Sequence, residues 1–218
     1  MKSTIFAVVG IVGCAAATAS AAPILSFGYT EVAGSFDTGT SVFDAVAVDN
    51  GALATAGDVT RLAAPGGTAN FDAGFVSASA FADVSLTMDI TAITGANASA
   101  TGHIMLMDAD GDSIHADVSG TFDNGGAGFY FFTGLLSNVN LVGAEFNGTD
   151  GGAFDMDLPG DAPYDGALVQ LFLDSSGGFF TQDFDGLSVQ LDGEILPTPG
   201  SMALLGLAGL ATTRRRRA

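Results

Sequence analysis

From Ile24 to Ile195 the chain alternates short apolar runs with clusters of Gly, Asn and Asp, and no stretch keeps helical spacing for three turns. Strand-length runs bounded by such residues predict antiparallel sheet. They are ILSFGYTEV from Ile24, SVFDAVAV from Ser41, DVSLTMDITAI from Asp83, TGHIMLMD from Thr101, DSIHADVSGTF from Asp112, GFYFFTG from Gly128, NVNLVG from Asn138, ALVQLFLD from Ala167 and LSVQLDGEI from Leu187. Between them stand DNGA, PGG, DNGG, DGG and SSGG. Glycine reaches positive φ there, and Asn and Asp side chains bond their own backbone. A hydrophobic content of 48% supplies a core, and 218 residues fit one domain. The expected fold is all-β, a single antiparallel β-sandwich or jelly roll over residues 22–196. Leu53 to Val59, LATAGDV, reads as a short helix or turn.

The amino end has the three parts of a secretory signal peptide over residues 1–21. Met1 and Lys2 form the n-region, Ile5 to Gly13 the apolar h-region, and Ala17 to Pro23 the small-residue cleavage region. Ala19 and Ala21 fit A-x-A, which places cleavage after Ala21. Cys14, the single cysteine, lies within this segment, so the mature chain has no disulfide, thiolate ligand or cysteine nucleophile. IVGC, Ile11 to Cys14, also fits a permissive bacterial lipobox, which would make Cys14 a lipidated first residue.

The carboxyl end is built differently. The apolar run Ser201 to Thr213 is 13 residues long. As a helix it would reach about 20 Å, short of a ~30 Å hydrocarbon core. Arg214, Arg215, Arg216 and Arg217 follow it and favour the cytoplasmic side. PTPGSMALLGLAGLATTRRRR resembles the PEP-CTERM sorting signal of Gram-negative bacteria: a Pro-Glu-Pro box, an apolar segment and a terminal arginine cluster. Pro197 and Pro199 match the box prolines, and Thr198 stands where the family has Glu. The resemblance covers residues 197–217. It implies transient inner-membrane insertion, processing by an exosortase after signal peptidase has acted, and delivery to the cell surface or extracellular polysaccharide.

Removing both ends leaves Arg61 as the one basic residue against 24 acidic ones, a net charge of −23. No basic patch remains to neutralise phosphates, which argues against nucleic-acid binding. Two readings of the acidity compete. One is solubility in a saline or divalent-rich medium; the other is cation binding, with calcium the first choice of carboxylate oxygens.

The sharpest local pattern is MDADGDSI, Met107 to Ile114. Asp110-Gly111 fits a two-residue type I′ turn. That register sets Met105 against Ala116, Met107 against Ile114 and His103 against Val118. A three-residue turn would slip the pairing by one and bring Ile104 and Leu106 inward instead. Asp108, Asp110 and Asp112 alternate, with Asp117 five residues on, in the spacing of a calcium loop. Ser113 replaces that loop's glycine and Ser119 its last carboxylate. Plain turn chemistry is the competing reading. In the first register His103 and His115 lie on opposite faces and cannot share a metal. No G-x-S-x-G occurs. Acid pairs such as Asp155 with Asp157, or Asp183 with Asp185, carry no catalytic assignment until a cleft is seen. The expectation is an exported, non-catalytic surface or matrix protein, associated with polysaccharide and needing no cofactor, with calcium the one candidate ligand. The alternative is a secreted glycan-active hydrolase.

Overall fold

A computed structural model describes residues 24–48, 54–62, 66–71, 83–126, 128–150, 152–154, 164–174 and 179–196. These form twelve strands and no helix: β1 (Leu25–Asp37), β2 (Val42–Val46), β3 (Ala56–Arg61), β4 (Gly67–Phe71), β5 (Val84–Thr94), β6 (Asn97–Met107), β7 (Ser113–Gly126), β8 (Phe129–Val142), β9 (Phe146–Asn147), β10 (Ala153–Phe154), β11 (Tyr164–Asp174) and β12 (Phe184–Leu196). The all-β expectation holds, and the domain is sandwich-like. Two local expectations do not hold. GFYFFTG and NVNLVG are one strand, β8, and the segment read as a helix or turn at Leu53 to Val59 enters strand β3 at Ala56.

The sheet order is β12-β11-β8-β7-β6-β5-β2-β1-β3-β4, with β12 also pairing β1. Among the described residues every strand pairing is antiparallel, and β5 to β8 form an up-and-down meander. Strand β1 holds the sheet together by changing partner. Leu25 to Thr30 pair with β3, and Ala33 to Asp37 pair with β2. The change falls at a bulge between Tyr29 and Val32, with Glu31 at φ 57°. An extra residue there shifts the alternation, so that Phe27, Tyr29, Val32 and Phe36 all face inward. Buried Thr55 bridges the gap: its hydroxyl accepts from Val48 N (3.1 Å) and donates to Glu31 O (3.3 Å).

The core is aromatic and crosses between the two faces. Phe43 on β2 meets Phe122 on β7 edge-on, 5.5 Å between centroids, although β5 and β6 separate these strands in the sheet. Phe180, from the turn before β12, packs on Phe36, Phe122 and Tyr130. A second cluster joins Tyr29, Phe71, Phe146 and Phe154 under the β9–β10 hairpin. Strand β4, at the end of the sheet order, is covered where Thr149 N donates to Thr68 O and Thr68 N donates to Asp150. That capping removes a free edge able to recruit another chain.

Candidate functional site

The β6–β7 connection is a five-residue loop, Asp108 to Asp112, closed by Asp108 N donating to Asp112 O at 3.0 Å. Its cause is the Asp108 side chain. Oδ1 accepts from the backbone amides of Asp110, Gly111 and Asp112, each at 3.0 Å, and Oδ2 accepts from Asn147 N at 2.8 Å. Gly111, at φ 95°, turns the chain back. The carboxylate thus serves as the hub of the loop and ties it to β9.

This wider loop corrects the two-residue-turn register. Pairing is slipped by one: Met107 faces Ser113, Met105 faces His115 and His103 faces Asp117. A one-residue slip moves a whole strand face, so Ile104 and Leu106 point into the core with Ile114, Ala116 and Val118. The inward set on β7 is the expected one; that on β6 is reversed. The placement of the two histidines on opposite faces falls with it, because both line one cleft of about 320 Å³.

The loop carboxylates are engaged within the protein. Asp112 Oδ2 accepts from Ala144 N (3.1 Å) and Glu145 N (3.0 Å), and Asp110 Oδ2 accepts from the Asn147 side-chain amide (2.9 Å). Asp117 is not part of this group. It sits along β7, where Oδ1 accepts from His103 Nδ1 (2.7 Å) and Oδ2 from Asn138 Nδ2 (2.6 Å). Among the described residues no three or more His, Cys, Asp or Glu side chains are grouped to hold a metal ion.

The cleft beside Asp117 is shaped by a second bulge. Ala116 is passed over where His115 pairs Asn140 and Asp117 pairs Ser137, and Asn138 takes φ 53°. Asparagine tolerates this left-handed conformation. The bulge turns its amide onto Asp117, and Asn140 lines the same cleft. On the far side, Ser113 Oγ and His115 Nε2 are 2.8 Å apart. Burial, and then the neighbouring His103, hold the His115 ring below the usual histidine range, which keeps it neutral at pH 7. The sequence signal for this site was present in the alternation HIMLMDADGDSIHAD; the register that joins its ends was not.

A second, broader groove of about 530 Å³ is lined by Asp37, Asp44, Asp185 and Phe184 among others. Asp37 Oδ1 accepts from Thr40 N (2.9 Å), and Asp44 Oδ1 from Thr87 Oγ1 (2.6 Å). Asp183, next to Asp185, takes both the amide and the hydroxyl of Thr38. These bonds pull the Asp183 carboxyl below the usual range, as expected of a structural acceptor. Asp155 and Asp157, the cleavage residues Ala19 and Ala21, Cys14, Pro197, Pro199 and Arg214 to Arg217 lie outside the described residues.

Comparison with known proteins returns no matching family model, no matching curated protein and no matching solved structure.

Proposed function

We propose that this protein is an exported, non-catalytic component of the cell surface or extracellular matrix, sorted by its PEP-CTERM-like tail and associated with polysaccharide there. The observation that supports this reading is the pairing of the domain's first and last strands. Ile24 N donates to Ile195 O at 2.9 Å, and Leu25 pairs with Ile195. The chain therefore enters and leaves the domain side by side. Both segments with targeting character join the described residues at this one end. The core formed by the described residues runs from Ile24 to Ile195.

Mass spectrometry of the protein recovered from cell surface and medium tests the proposal. Cleavage after Ala21 and a processed end near Pro197 to Pro199 are expected. Replacing Arg214 to Arg217 with neutral residues should retain the tail and hold the protein at the inner membrane, with the far-UV circular dichroism of the domain unchanged. A variant processed and delivered like the parent overturns the sorting reading.

A further inference from the structure

His103 and His115 are the chain's two histidines, and the fold sets both on the outward face of adjacent strands. They are diagonal neighbours: His103 pairs with Asp117, and His115 lies two residues before it on β7. Diagonal cross-strand side chains lie within reach of one another when long or aromatic. Each ring also has one nitrogen fixed by the protein. His103 Nδ1–H donates to Asp117, whose other oxygen is held by Asn138. His115 Nε2 is held at Ser113 Oγ. With Nε2–H donated to that hydroxyl, Nδ1 of His115 carries the lone pair, as Nε2 of His103 does on the other ring. A carboxylate–imidazole pair of the first kind is the usual outer support of a metal-bound histidine, fixing tautomer and ring orientation.

We propose that this cleft binds a divalent transition-metal ion of the zinc or nickel class through His103 Nε2 and His115 Nδ1, with water completing the coordination. Asp117, Asn138 and Ser113 are positioning residues. Imidazole nitrogen selects such ions over calcium and magnesium, which prefer oxygen. That separates this site from the carboxylates covering the rest of the domain. It is also distinct from the Asp108 loop, whose oxygens are engaged by backbone and side-chain amides.

The test follows the imidazole carbon-bound protons of the full-length chain by NMR, where two histidines give two resolvable sets. Substoichiometric Ni²⁺ should broaden both sets together, and Zn²⁺ should shift both and saturate at one equivalent. Mg²⁺ and Ca²⁺ at the same concentration should move neither. His103→Gln or His115→Gln should each abolish the saturable response of the remaining ring. Asp117→Asn should weaken binding by roughly 10–100-fold while both rings still respond together. A response confined to exposed His103, or one that Ca²⁺ reproduces, overturns the proposal. So does a His115→Gln variant, β-type by circular dichroism, that binds Zn²⁺ as the parent does.

Discussion

Asp108 and Asp83 stand at the same end of the β5–β6 ladder, where Met107 N donates to Asp83 O and Asp108 follows directly. Both are buried, at 1% and 0% exposure. Their surroundings are opposite. Asp108 receives four backbone amides; neither carboxylate oxygen of Asp83 has a hydrogen-bond partner. Burial cost is therefore a question of what replaces water rather than of depth. Burial pushes the Asp83 carboxyl up to about 7, and the amides of Val84 and Asp83 itself pull the other way without reaching hydrogen-bond geometry. Tyr29 shares this unsolvated region. Its hydroxyl is buried without a partner, and its pKa is raised well above the usual value by burial, then by Asp83 and Asp58.

The largest expected effect breaks the well-solvated member. Asp108→Ala leaves four amides without their acceptor and releases the loop from β9. Hydrogen bonds to a charged group contribute about 1.5–3 kcal/mol each, and these four act as one unit. A destabilisation of roughly 3–5 kcal/mol by urea unfolding is expected. A loss under about 1 kcal/mol would mean that water replaces the carboxylate easily, and the contrast with Asp83 would collapse.

Asp83 should behave in the reverse sense. Its folded pKa is raised above the unfolded value of 3.8. Below pH 4 both states hold the proton and no penalty exists. Between about pH 4 and 7 the unfolded chain releases it while the folded chain keeps it, so stability falls with rising pH, and the full penalty persists above 7. A shift of about three units corresponds to roughly 4 kcal/mol at most. Asp83→Asn should raise stability at pH 8 by about 1–3 kcal/mol, change it little at pH 4, and flatten the slope between. Unchanged slopes would show that Asp83 is hydrated in solution.

The sequence made one side of this comparison legible and hid the other. DADGD announced a carboxylate-built turn, because alternating Asp around Gly has few other uses, and the turn reading describes Asp108 correctly. The choice of register was not legible: the slipped pairing stood as an alternative, and what favours it is one carboxylate taking three loop amides while its other oxygen holds Asn147, 39 residues away. The error of one residue then reversed β6 and separated two histidines that the fold brings together. Asp83 opens the strand run DVSLTMDITAI, and nothing in that run marks its carboxylate as buried. Phe180 was hidden similarly, since SSGGFF ends in what reads as a turn, yet the ring fills the core at φ 49°. Strand identity was visible because alternation is local; the bulges at Glu31 and Asn138 were not, because each is set by a change of partner or pairing across the sheet.

An intermediate case sharpens the scale. Asp112 also accepts two amides, from Ala144 and Glu145, but in an exposed setting. Water can take over there, so Asp112→Ala should cost about 1 kcal/mol, well below Asp108→Ala. Equal costs for the two would mean that burial adds nothing to the worth of these bonds.

The smallest effect concerns Tyr29. Tyr29→Phe removes a buried hydroxyl without a partner and keeps the ring stacked on Phe71, 5.8 Å between centroids. Deleting an unsatisfied group while conserving shape is near neutral or stabilising, here by less than about 1 kcal/mol. The informative quantity is its dependence on Asp83. If the two groups share only an unsolvated region, with no bond between them, the Tyr29→Phe change at pH 8 should be about the same in the parent and in Asp83→Asn. A hydroxyl that donates to ionised Asp83 in solution would instead make Tyr29→Phe destabilising at pH 8, and that cost would disappear in the double variant. Urea unfolding of the four proteins at pH 5 and pH 8 separates these outcomes, and a coupling energy above about 1 kcal/mol at pH 8 would replace the picture of an isolated carboxyl with that of a working Tyr–Asp pair.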